Sequence, residues 1–249
     1  YEPYVRSGWS FRAFEGKSVD EIFLFAYDSQ TGEFEMMPFQ IDERVRKQDP
    51  FRADTSDKRH SYFLGDDGLM DTDDEVSWMV RDMGDKAPET AWIDNTESRQ
   101  YQRVELKLYE SGQEVQAAYA YAFCSPTIPD TVPRPYDFGY DQAQDVISTF
   151  IYSVGFNEAS GVINDITIKP PFGSGQDVLD TQKIRMSGVL DIGLGPTPLQ
   201  FGRGGQPSIN ERDFLHLYDF SVHLGITEDP VVRLIREVRQ TIKVAGIPF

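Results

Sequence analysis

Only one cysteine, Cys124, occurs in 249 residues. A lone thiol forms no intrachain disulfide, so a disulfide-stapled scaffold is excluded, while the compartment stays open. Flanked by Ala-Phe and Ser-Pro with no histidine close by, it reads as a small buried residue. Basic residues are also scarce, 24 against 41 acidic, for a net charge of −17. Such a chain repels phosphate backbones and anionic membrane surfaces, which argues against nucleic acid as a partner. Cations, basic proteins and neutral ligands remain. No apolar run approaches the roughly 18–20 residues that span a bilayer, so no transmembrane segment is expected. The chain opens YEPYVRSGWSF without Met, which reads as a processed or truncated N-terminus.

Catalytic signatures are missing too. There is no HExxH, CxxC, CxxCH or GxSxG. GSGQD at 173–177 and GRGG at 202–205 lack the strand–loop–helix order of phosphate sites and read as loops. The histidines are His60, His216 and His223. A regular strand would place His216 and His223, seven apart, on opposite faces, so they would not share a metal.

Strand signals dominate. Two apolar runs flank DSQTG in EIFLFAYDSQTGEFEMMPFQIDE (21–43), a hairpin with Gly32 at its turn. Ile22 to Tyr27 is continuously apolar, as in a strand buried on both faces. Side-chain parity slips at Met37-Pro38, which predicts a bulge or an edge. Residues 44–64 are charged and read as a long surface loop; 82–98 read as another. The segment 101–125 predicts the cleanest hairpin, turning at Ser111-Gly112. Further strands are expected at 75–81, 145–156, 162–172 and 213–225. The last segment, 228–246, fits both a helix and a strand; its Val, Ile and Thr content favours strand, with Arg233, Arg239 and Lys243 along one face. Together these predict a mainly β chain, a large antiparallel β-sandwich with long loops and little helix. It is read as one domain over 1–249, with the four-proline segment 126–139 as the candidate internal division.

Two groups of residues invite chemistry. Six carboxylates fall between Gly65 and Glu75, around a Gly that allows a sharp turn. Calcium takes 6–8 oxygens from such loops, so Asp67, Asp71, Asp73, Asp74 and Glu75 are the candidate Ca2+ ligands. The alternative is a solvated acidic turn, since Asp itself favours turns. Asp42 and Glu43 end a strand. They would form an acid/base couple with Asp74 or Glu75, or, as the favoured reading, pair with Arg44 or Arg46. His216, Arg233 and Arg239 are the candidate contacts to a ligand or partner.

Four pieces, MPFQIDERV (37–45), DDGLMDTDDEVSWMVRDMGD (66–85), DVLDTQKIR (177–185) and EDPVVRLIREVR (228–239), together resemble a group of exported bacterial β-sandwich proteins. In that pattern a PFQ[IV]DE strand end precedes a DGxxDxxDE loop. The later pieces are distantly similar to galactose-mutarotase and polysaccharide-lyase sandwiches. Asp229 stands where a Gly is usual before Pro230, and Thr181 where Arg is common. The resemblance implies an extracytoplasmic bacterial protein, periplasmic or secreted. The expected function is non-catalytic binding or scaffolding, as an accessory subunit of a larger, membrane-associated assembly of protein chains. The alternative is a carbohydrate-active enzyme or polysaccharide-binding domain with a calcium-stabilised loop.

Overall fold

The computed structural model describes residues 3–48, 58–61, 67–109, 117–157, 162–179, 182–183, 188–190, 199–201, 208–209, 219–226, 230–244 and 247–248. The protein is mainly β and antiparallel, and its helical turns among the described residues are short 3-10 segments. It divides into two compact units: unit 1 is Tyr1–Tyr136 with Gly225–Glu237, and unit 2 is Asp137–Leu224 with Val238–Phe249. The chain leaves unit 1 after Tyr136, within the proline-rich 126–139 segment.

Unit 1 holds strands β1 (Tyr4–Ser7), β2 (Ile22–Asp28), β3 (Glu33–Met36), β4 (Phe39–Asp42), β5 (Val45–Gln48), β6 (Lys58–Ser61), β7 (Glu75–Trp78), β8 (Val104–Leu108) and β9 (Ala118–Cys124). Two of its sheets, β3-β2-β9-β8 and β1-β7-β4, share one apolar core and form a sandwich. β2 and β9 are interior strands, which is why both carry near-continuous apolar sequence. In β9 small and large residues alternate. Ala118, Ala120 and Ala122 lie opposite Leu108, Leu106 and Val104, while Tyr121 and Phe123 lie opposite Phe25 and Phe23 of β2. Phe34 meets both Tyr121 and Phe123 edge to face, and Trp92 covers Phe123 from the 82–98 loop. Such ring pairs add to area burial and fix the register.

The β2–β3 turn uses Gly32 at φ 78°, its N–H donating to the Asp28 carbonyl. The parity slip at Met37-Pro38 has a simple cause. β3 belongs to the four-stranded sheet and β4 to the three-stranded one, so the chain changes sheets there. Both strands are edges. Cys124 is fully buried, and burial pushes its thiol up to about 11.

Unit 2 contains a meander of β10 (Phe138–Asp141), β11 (Val146–Thr149), β12 (Tyr152–Phe156) and β13 (Ile163–Ile168), in that spatial order. Short pairs follow: β14 (Gln182–Lys183) with β17 (Ser208–Ile209), and β15 (Gly188–Leu190) with β16 (Leu199–Phe201). A last sheet joins β18 (Asp219–Ile226), β19 (Arg236–Val244) and β20 (Ile247–Pro248).

Three expectations are corrected. Residues 44–64 are not all loop, because β5 and β6 pair within them. Backbone pairing needs no apolar alternation, which was the signal sought. The single strand expected at 145–156 is two, turning at Phe150-Ile151. No Gly or Pro marks that turn; Thr149 Oγ1 accepts from the N–H groups of Ile151 and Tyr152 instead. Finally, β7 ends at Trp78 and a 3-10 turn follows over Val80–Asp82. The Ser111-Gly112 turn lies outside the described residues.

Candidate functional site

The FQID sequence of β4 places Gln40 and Asp42 on one face of an edge strand. The antiparallel register sets Asp42 directly opposite Glu75 at the start of β7. Two facing carboxylates repel, and half-burial strengthens the repulsion. Arg233 sits between them. Its Nε donates to Asp42 Oδ2 at 2.8 Å and its Nη2 to Glu75 Oε2 at 2.5 Å. Arg44 Nη1 takes the other Glu75 oxygen at 2.7 Å. Gln40 Nε2 donates to the remaining Asp42 oxygen at 2.6 Å.

Gln40 also holds the backbone. Its Oε1 accepts from three successive N–H groups, Val231, Val232 and Arg233, at 3.0, 3.2 and 3.3 Å. Those amides form a concavity of the kind that receives anions, here filled by a neutral amide oxygen. Val231 and Val232 pack beside Met79, Val132 and Tyr136. One side chain of β4 therefore docks the 230–236 segment, and Asp42 and Glu75 lock its arginine.

The electrostatics follow from the count of partners. Burial raises the Asp42 carboxyl above its ordinary value, and the attraction of Arg233, which Asp42 shares with Glu75, only partly offsets this. Arg233 faces two carboxylates and is held charged, its pKa raised despite burial.

The acidic loop lies beside this cluster and is used internally. Asp74 Oδ1 accepts from the Arg44 N–H at 3.0 Å and Oδ2 from the Asp71 N–H at 2.7 Å. Burial is the main cause that raises the Asp74 carboxyl. Asp71 Oδ1 accepts from the Asp73 N–H and Asp67 Oδ1 from the Leu69 N–H, both tight turns. Arg44 Nε donates to the Asp73 carbonyl. Among the described residues no three His, Cys, Asp or Glu side chains group as a metal site. Glu75, expected as a ligand, is turned to Arg44 and Arg233. Asp74→Ala is expected to cost about 1–3 kcal/mol in urea unfolding, because two N–H groups lose their acceptor.

Of the other expected contacts, Arg239 falls within β19, while His216 lies outside the described residues. Arg233 precedes β19 rather than sharing a strand face with Arg239, because Pro230 to Ile235 is not strand. Asp42 does come to Glu75, as an acid/base couple would require. Yet both oxygens of each carboxylate are held by Gln40, Arg44 or Arg233, which suits holding rather than proton transfer. Gln40 was the missed residue. Its signal was a long polar amide two positions before Asp42 in an otherwise apolar strand.

Two surfaces complete the picture. A groove of about 570 Å³ in unit 1 runs along β4, with Ile22, Phe23, Phe39 and Val231 among its apolar lining. In unit 2 the β11–β12 turn carries Phe150, 66% exposed, with Ile151 and Tyr152 also exposed. Phe172, 53% exposed, lies against Phe150 with centroids 5.5 Å apart and planes at 74°. Lys169 ties this tip down, its Nζ donating to Ser148 Oγ and to the Thr149 carbonyl.

No family model matches the chain, and neither the curated proteins nor the solved structures contain a match.

Proposed function

We propose that the protein is an extracytoplasmic, non-catalytic binding or scaffolding protein, an accessory subunit that docks on another protein chain through the aromatic tip of unit 2. The observation carrying this reading is the exposed cluster of Phe150, Ile151, Tyr152 and Phe172, stiffened by Thr149 and Lys169. A rigid aromatic knob loses little entropy on docking, and such residues are enriched at the centres of protein interfaces. The net charge of −17 disfavours both a second copy of this chain and an anionic membrane as the surface it meets. The partner that fits has an apolar pocket with a basic rim. A polysaccharide fits less well, because a sugar ring lies flat on an aromatic face and two rings at 74° offer no shared platform. The extracytoplasmic setting rests on the four resembling sequence pieces.

Native mass spectrometry of protein purified gently from its source tests this. The wild type should carry a stoichiometric second chain. Phe150→Ser with Phe172→Ser should weaken that complex by roughly 30-fold or more, a hot-spot loss of about 2 kcal/mol, without moving the melting temperature. A wild type that stays alone, or a double variant that keeps its partner, overturns the proposal.

A further inference from the structure

In unit 2 the register of β10 against β11 leaves an opening beside a cation. Gly139 of β10 lies directly opposite Ser148 of β11. Residues directly opposite each other in an antiparallel pair point to one face. Ser148 Oγ therefore stands on the face where Gly139 has no side chain. A Cβ at Gly139 would meet nothing within 4 Å, and Gly139 is exposed. β10 is an edge strand of the meander, so the opening reaches the rim of the sheet. Lys169, directly after β13, crosses to the same place. Its Nζ donates to Ser148 Oγ and to the Thr149 carbonyl, both at 2.6 Å. An ammonium has three donors. Two are given to neutral acceptors, and among the described residues no carboxylate pairs with Lys169. The net charge is −17, and the part-buried Arg44 and Arg233 both meet carboxylates. A part-buried cation held only by neutral groups loses hydration that a carboxylate within hydrogen-bond reach returns.

We infer that Lys169, Ser148 and the space at Gly139 seat a carboxylate side chain, Asp or Glu, of the chain that docks on the aromatic tip. This rests on the reading that the tip meets another protein, and it names what that partner brings: an acidic residue beside an apolar surface, inside an otherwise basic rim. The Ser148 hydroxyl has its own proton to donate and Lys169 has a third, so both oxygens of a carboxylate find a donor. The seat and the aromatic tip share the same two turns. Thr149, one anchor of Lys169, precedes Phe150, and Lys169 stands three positions before Phe172. The root of Lys169 is firm, since its carbonyl accepts from the Phe172 and Gly173 N–H groups. A free inorganic anion would satisfy Lys169 but leave Phe150, Ile151 and Phe172 bare to water. An acidic side chain flanked by apolar residues covers both.

The test is an NMR titration of the isotope-labelled full chain, read at the Ser148 amide. The probes are acetyl-Thr-Phe-Glu-Val-Thr-amide and the same peptide with Gln or Lys in place of Glu. The Glu peptide should shift that signal saturably and bind at least tenfold tighter than the Gln peptide, and the Lys peptide should not bind. Gly139→Val adds atoms in open space, so it should weaken the Glu peptide by tenfold or more while the melting temperature holds. Lys169→Gln should erase the preference for Glu over Gln. Equal binding of the Glu and Gln peptides overturns the inference, as does a Gly139→Val variant that binds as well as the wild type. Acetate binding as tightly as the Glu peptide also overturns it, since the seat would then take a free anion. Native mass spectra separate this from the tip itself. If Gly139→Val keeps a second chain that Phe150→Ser with Phe172→Ser loses, the tip reading stands and the carboxylate seat is refuted. A wild type that stays alone there refutes the tip reading, while the peptides still decide the seat.

Discussion

Replacing Arg233 by methionine is expected to destabilise unit 1 by about 3–5 kcal/mol at neutral pH, the loss seen when one partner of a buried ionic group is removed. Methionine keeps much of the apolar volume, so the effect reports charge. Without the guanidinium, Asp42 and Glu75 face each other, with Arg44 beside Glu75. The side chains are 16% exposed for Arg233 and 7% for Asp42, too little for water to screen them fully. Asp42→Asn should cost much less, since it removes a buried charge and leaves Arg233 paired with Glu75.

The pH dependence sharpens this. The Asp42 carboxyl titrates above its ordinary 3.8 in the folded protein. A raised acid favours folding below the unfolded value, and that contribution is lost as pH rises through the folded value. In Arg233→Met the main attraction opposing the rise is gone. The variant therefore loses more stability than the wild type between about pH 3.5 and 7. The gap between them should be widest at neutral pH and narrow on acidification. Tryptophan fluorescence in urea reads unit 1 alone, because Trp9, Trp78 and Trp92 all lie in it. A cost below about 1 kcal/mol at pH 7, or a gap that widens in acid, would show that the cluster does not hold the segment.

Gly8→Ala is the second large effect. A Cβ at Gly8 would stand 1.7 Å from the Asp71 carbonyl oxygen and 2.9 Å from its carbon. Both are backbone, so no rotamer change relieves the overlap. The Gly8 N–H meanwhile donates to the Asp74 carbonyl at 2.8 Å. The end of β1 and the base of the acidic loop would have to part, at about 3 kcal/mol. Gly139→Ala meets open space and should stay within about 0.5 kcal/mol. If the two substitutions melt alike, the close approach of Gly8 to the loop is wrong.

Much of this arrangement was written locally in the sequence, and some was not. β2 announced itself by six apolar residues, and β9 by its alternation of alanine with aromatic rings. β5 and β6 did not, because charged residues on a paired ribbon look like loop. The β11–β12 turn hid behind a threonine where Gly or Pro was sought. At the site, Asp42 stood out at the end of a strand, Glu75 at the close of the acidic loop and Arg233 on a face of the last strand, in three of the four pieces that together resemble exported β-sandwich proteins. What joins them is long-range. Asp42 and Glu75 meet through strand register, and Arg233 arrives 191 residues after Asp42. Periodicity carries no information about such pairings. Gln40 went unnoticed for the same reason, since its three acceptor bonds all go to residues more than 190 positions away.

The docking of Gln40 on the 231–233 amides also orders events in time. Unit 1 takes its last piece, Gly225–Glu237, from chain that follows nearly all of unit 2. A ribosome delivers Asp42 and Glu75 early and their arginine late. Until Arg233 emerges, the nascent sandwich carries two facing carboxylates and an amide oxygen with nothing to receive. Contacts this distant in sequence form slowly, because a long loop must close first. Unit 1 therefore finishes folding only after most of unit 2 has been made, and a chain stopped at residue 224 would display the first unit with its clasp open.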